Sequence, residues 1–230
     1  MSMPYYVSPE QVMKDRADYA RKGIARGRAL VALSFDEGIL LCAENSSRTL
    51  HKIAEIYDRI AFAGVGKFSE FDSLRTAGVR MADLKGFTYS REDVDVRSLA
   101  NAYAQSLGQI FTHEMKPMEV EILVAEVGHV REDDQMFRIS YDGTVVDETD
   151  RAVLGGDAET IAGRLTDAVT DVMVLGEALR AAVSALAGPE RTLTAGDLEV
   201  AILRRSDGQR MFRRMTPEDL EPLLAEATTP

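Results

Sequence analysis

The chain has 230 residues, 45% of them hydrophobic and 28% charged, with a formal net charge of −11. That length supports one large domain with a substantial core, and the balance is that of a soluble globular protein. The acidity argues against nucleic acid, whose binding rests on Lys and Arg neutralising phosphates, and no apolar run approaches the roughly 18–20 residues of a membrane span.

Residues 1–7 (Met1, Ser2, Met3, Pro4, Tyr5, Tyr6 and Val7) show no periodicity and are expected to be a mobile tail. They lack the basic n-region and apolar h-region of a secretory signal. Residues 8–230 are expected to form a single domain, opening with a helix over 8–27. Ser8 is suited to cap it, Pro9 suits its first position, and Gln11 is placed to complete a capping box. Met13, Ala17, Ala20 and Ile24 fall on one face, and Gly23 and Gly27 supply the stop. This segment is the basic part of an acidic chain. Residues 8–28 hold six cations against three anions, leaving −14 for the rest. A solvated helix face is the plain reading, and a surface attractive to a carboxylate-bearing partner is the sharper one.

Two unbroken apolar strands follow, Ala29–Phe35 and Gly38–Ala43, joined at Asp36-Glu37; unbroken apolar strands are buried on both faces. The only cysteine, Cys42, lies in the second. It cannot form an internal disulfide, which fits a reducing, cytoplasmic setting. A second pair, Ile53–Tyr57 and Ile60–Val65, precedes helices over about 69–85 and 96–115. Strands are then expected at Val120–Val127, Met136–Ser140 and Ala152–Leu154, with a Tyr141-Asp142-Gly143 turn. A long helical stretch over Thr160–Ala187 comes next, then a hairpin of Leu198–Arg204 and Met211–Arg214, and a last helix from Thr216 to about Ala225. Hairpins dominate and strands do not alternate with helices. The order suits two stacked antiparallel sheets with helices outside, an α+β arrangement rather than a doubly wound one.

The chemistry-bearing residues form no familiar site. Gly64-Val65-Gly66-Lys67-Phe68-Ser69 resembles a phosphate loop, but Ala61 and Phe68 stand where that motif needs Gly and Ser/Thr, so a strand-to-helix turn is expected. His51, His113 and His129 share no metal-ligand spacing, and no G-x-S-x-G is present. Neither a cofactor nor a metal is expected. Lys52, after the polar loop Glu44–Thr49, reads plainly as a surface lysine. At a sheet edge it also presents a compact charge to a carboxylate.

Taken in order, several segments resemble proteasome α subunits of the actinobacterial kind. They are Tyr5-Tyr6-Val7-Ser8-Pro9-Glu10-Gln11, Tyr19-Ala20-Arg21-Lys22-Gly23-Ile24-Ala25-Arg26-Gly27, Ala43-Glu44-Asn45, Leu50-His51-Lys52-Ile53, Ile56-Tyr57-Asp58-Arg59 and Gly66-Lys67-Phe68-Ser69-Glu70-Phe71-Asp72. Leu99–Gln105, Lys116-Pro117 and Arg138-Ile139-Ser140-Tyr141-Asp142-Gly143 continue the likeness. The resemblance implies a four-layer α/β/β/α sandwich of the N-terminal nucleophile hydrolase type with an extra N-terminal helix. It implies a non-catalytic subunit of a seven-membered ring that caps catalytic β rings. Such a ring gates the entry of unfolded substrate and docks a hexameric ring ATPase, in degradation directed by a ubiquitin-like modifier. Residue by residue, it places Lys52, Gly27, Asp18 and Lys67 in the activator-docking pocket and residues 1–7 at the gate. Archaeal relatives often have leucine at the position of Lys67. The archaeal Tyr-Asp-Arg tail is replaced here by Met3-Pro4-Tyr5-Tyr6.

The alternatives are a self-processing threonine peptidase of the β type and a stand-alone binding scaffold. A β subunit exposes a Thr as its first residue, yet no Thr lies between Met1 and Thr49. Laid over this chain, the β pattern puts the nucleophile near Arg28, the active-site acid near Glu44 and the active-site lysine near Lys52.

Overall fold

Strand β1 (Leu30–Phe35) and strand β2 (Gly38–Glu44) are apolar on both faces, so each needs cover above and below; the rest of the fold supplies it. The structure, a computed structural model, describes residues 8–47, 49–166, 172–206 and 208–225. The chain begins there with helix α1 (Pro9–Ile24) and continues after β2 with β3 (Ile53–Tyr57), β4 (Ile60–Gly66), α2 (Phe68–Thr88) and α3 (Val96–His113). Then come β5 (Val120–Glu126), β6 (Gln135–Ile139), β7 (Val145–Glu148), β8 (Arg151–Leu154), α4 (Ala158–Thr166), α5 (Leu175–Ala187), β9 (Leu198–Arg204), β10 (Phe212–Met215) and α6 (Pro217–Ala225).

The strands form two five-stranded antiparallel sheets, ordered β10-β9-β2-β1-β8 and β3-β4-β5-β6-β7. Leu30, Ala32, Ile39, Leu41 and Ala201 of the first sheet meet Ile53, Ala61, Ala63, Val65 and Leu123 of the second in a dry layer. Many of these are alanines, which lets the sheets approach to the usual spacing of about 10 Å. The opposite faces of the same strands carry Val31, Leu33, Leu40 and Cys42, which pack under α4, α5 and α6. Phe62, Ile122, Val124 and Phe137 pack under α2 and α3, with the Phe62 and Tyr103 rings 5.9 Å apart. Three cores in four layers make the α/β/β/α sandwich. Cys42 is buried inside it, and burial pushes its thiol up to about 12.

The observed bounds shift the sequence expectations in physically readable ways. The Ser8 side chain accepts from Gln11 N as a cap, but the Gln11 amide bonds Asp15 instead of closing a capping box. Helix α1 ends at Ile24 rather than 27. Gly23 and Gly27 act there through close approach, a Cβ on Gly27 falling 3.0 Å from Gly66 N. The long helical stretch expected over Thr160–Ala187 holds two helices, α4 and α5, and Val172–Val174 before α5 are not helical. The Met173 side chain is buried and its carbonyl accepts from Asp36 N, so this segment is anchored in the first sheet's outer core. Strand β7 was not foreseen, because it is a four-residue edge with no apolar run. The gate residues 1–7 lie outside the described residues.

Candidate functional site

At one end of the sandwich β1 and β3 begin, β2 and β4 finish, and the segment after α1 crosses over them. Gly66 ends β4 with φ +107°, and a Cβ there would stand 2.0 Å from Glu119 O. Only glycine fits such a close, left-handed position. Lys67 N donates to Glu119 O, so that amide is spent within the protein where the glycine-rich loop turns strand into helix. This is the turn expected from the sequence, not a phosphate cradle.

Lys52 is half-buried at this end. Its Nζ donates to Arg28 O at 2.7 Å and to Glu44 O at 3.2 Å. Burial pushes its ammonium down to about 8; Glu199 and Glu44 pull it up, and Arg28 adds to the push. Its backbone is fixed from two sides. Lys52 N donates to Glu199 Oε2 at 2.8 Å, and Lys52 O accepts from Gly64 N at 3.0 Å. Glu199, on β9, is buried and receives Asn45 Nδ2, Lys52 N, Ile53 N and Arg214 Nη1, with His51 Nδ1 at 3.4 Å. A carboxylate inside a strand needs such a set of donors to be tolerated. It ties β9 of one sheet to β3 of the other.

Arg28 ion-pairs with Glu44, which also takes Arg191 Nη1 at 3.1 and 3.2 Å. Arg191 in turn caps α5 through Leu186 O and Ala187 O. These groups border a recess of about 690 Å³ that includes Gly27 and Arg164. Arg28, Glu44 and Lys52, the three positions picked by the β-subunit overlay, therefore meet in space. Arg28 offers no nucleophilic oxygen or sulfur, and both neighbours are hydrogen-bonded to it.

Of the other sequence-selected residues, Gly27 packs on Gly66, and Lys67 is half-exposed with its Nζ 3.3 Å from Glu70. Asp18 is half-exposed on α1, its carboxylate 3.7 Å from Arg21 and not among the groups bonded to Lys52. Sequence reasoning missed Glu199 and Arg191. The signal for Glu199 was present, since it is the single charge within the apolar run Leu198–Leu203. Among the described residues no group of His, Cys, Asp and Glu is arranged to hold a metal, and no helix is long and apolar enough to cross a membrane.

Two stacked antiparallel sheets between helical layers, with an N-terminal helix, are the N-terminal nucleophile hydrolase sandwich. The sequence model of the family described as proteasome subunit matches residues 24–203. Proteins named proteasome subunit alpha are similar along nearly their whole length. That of Acidimicrobium ferrooxidans is 58% identical over 226 residues, 98% of this chain and 97% of the relative. Those of Thermobifida fusca and Acidothermus cellulolyticus are 57% and 56% identical over 230 residues, covering 99% and 97% of this chain and 92% and 98% of theirs. The chain belongs to the proteasome subunit family, among its actinobacterial α subunits.

Proposed function

We propose that this chain is the non-catalytic α-ring subunit of a bacterial 20S proteasome core. Seven copies form a ring that caps the catalytic β rings, gates the entry of unfolded protein and docks a hexameric ring ATPase by its C-termini. The pathway is degradation directed by a ubiquitin-like modifier, in the cytoplasm. The observation that supports the non-catalytic reading is Arg28, near which the β-subunit overlay puts the nucleophile and whose guanidinium is spent on Glu44. The docking reading rests on Lys52, whose Nζ touches Arg28 O beside Gly27 and is held by the Glu199 clasp. A half-buried ammonium at the end of a sheet suits a terminal carboxylate, because the low-dielectric setting strengthens the pair. Asp18 and Lys67 contribute to the same pocket in this reading.

The test is Lys52→Ala in the particle assembled with the β subunit. ATPase-stimulated proteolysis should be lost while ring mass and basal peptide hydrolysis are kept. Retained stimulation would remove Lys52 from the docking role.

A further inference from the structure

We infer that Lys52 is a site of covalent acylation, its amine set to take an acyl group from an acyl phosphate and to lose its charge in doing so. What the side chain touches sets it apart from the other five lysines of the chain. Lys67 and Lys116 stand against Glu70, and Lys85 stands against Asp95. A carboxylate partner of this kind keeps an amine protonated. Lys14 and Lys22 are exposed on α1. Lys52 alone is half-buried with only carbonyls bonded to its Nζ, Arg28 O at 2.7 Å and Glu44 O at 3.2 Å.

Two carbonyl acceptors suit the two forms of an amine differently. An ammonium has three N–H donors and a neutral amine has two. The neutral form satisfies both carbonyls with no donor left over, and its lone pair lies on the side they do not occupy. That is the form that attacks an acyl carbon. The side chain is also well anchored, because Glu199 fixes the main chain on both sides of the Lys52–Ile53 peptide.

The charges around Nζ agree with this. Glu199 on β9 and Glu44 on β2 favour the ammonium, and Arg28 opposes it. Arg214 Nη1 lies against Glu199, as does His51 Nδ1 at 3.4 Å. Burial outweighs the two carboxylates and takes the ammonium from 10.5 down to about 8. Near neutral pH the uncharged share then exceeds that of an ordinary lysine by on the order of a hundredfold. A less basic nucleophile is slower by about half of that on a logarithmic scale, so the net gain is roughly tenfold. An anionic donor is favoured, because residues 8–28, which end at Arg28, hold six cations against three anions.

The step balances with the acyl phosphate alone. The Nζ lone pair forms a C–N bond to the acyl carbon. The C–O bond to the phosphate breaks with its electron pair, inorganic phosphate leaves, and one Nζ proton passes to water. The product amide has a single N–H and no charge. Acylation itself requires nothing of the docking reading. Its consequence rests on that reading: a neutral amide does not pair with a terminal carboxylate, so acylation switches docking off.

The experiment is limited acetylation of the particle assembled with its β subunit, using acetyl phosphate at about pH 7.5. The protein is then unfolded and its remaining amines are capped with isotopically heavy acetic anhydride. Mass spectrometry of proteolytic peptides reads the light-to-heavy ratio at each lysine. Lys52 should react roughly ten times faster than Lys14 and Lys22. Its rate should level off above about pH 8, and the preference should vanish when the reagent is added in denaturing urea. A Lys52 rate no greater than that of Lys14 and Lys22 in the folded particle overturns the acylation site. Loss of ATPase stimulation in step with the Lys52 label supports the consequence. Full labelling with stimulation kept overturns the docking role and leaves the acylation site standing.

Discussion

Lys52 gains its character from its surroundings rather than from its type. Burial takes its ammonium from the ordinary 10.5 down to about 8. The unfolded chain therefore binds that proton more tightly than the folded one, and the charged lysine weakens the fold. The penalty fades as pH rises from about 8 to 10.5 and is gone above that window. The unfolding free energy of wild type minus that of Lys52→Met should consequently climb between those two pH values; a flat difference would refute the burial argument. The charged form needed to hold a carboxylate is lost over the same rise, so activator-stimulated hydrolysis should decline as pH passes about 8. Glu199 stands behind this behaviour, since it fixes the backbone on both sides of the Lys52–Ile53 peptide.

Among the elements, the β4–α2 junction is the most constrained at the site. Gly66 lies at φ +107° with Glu119 O in the space a Cβ would take, and Lys67 N is bonded to that same carbonyl. Gly66→Ala must shift either the start of β5 or the position of Lys67. Strain of this kind costs of order 1–3 kcal/mol or more, and urea unfolding at constant m-value should report a loss in that range. Unchanged stability would mean that the turn relaxes freely. Helix α1 depends on this junction too. Gly27 packs on Gly66, and Arg16 reaches Ile110 O near the end of α3, so the helix is docked at its middle and just past its C-terminus.

For the whole molecule, in the proposed reading the strand ends beside α1 are the docking surface. Residues 1–7, which precede α1 in sequence, are the proposed gate. Deleting them should raise peptide hydrolysis by the assembled particle while leaving its mass unchanged apart from the missing residues. Equal hydrolysis would argue against gating.

Much of this was legible in the chain itself. Unbroken apolar runs such as Leu30–Phe35 announce strands covered on both faces, the Ser8-Pro9 cap announces α1, and the absence of Thr before position 49 speaks against a self-processing nucleophile. These are local patterns, set by side-chain period, capping chemistry and residue type. What only the tertiary structure decided is non-local. The Glu199 clasp joins residues 147 positions apart at Lys52, Arg191 reaches Glu44 across the same span, and Met173, ahead of α5, fills a core and accepts from Asp36 N. The stagger that sets β9 over β3 and β8 over β5 is likewise a property of how the sheets stack. No window of sequence contains those distances, because they arise only when both faces of each sheet have been buried.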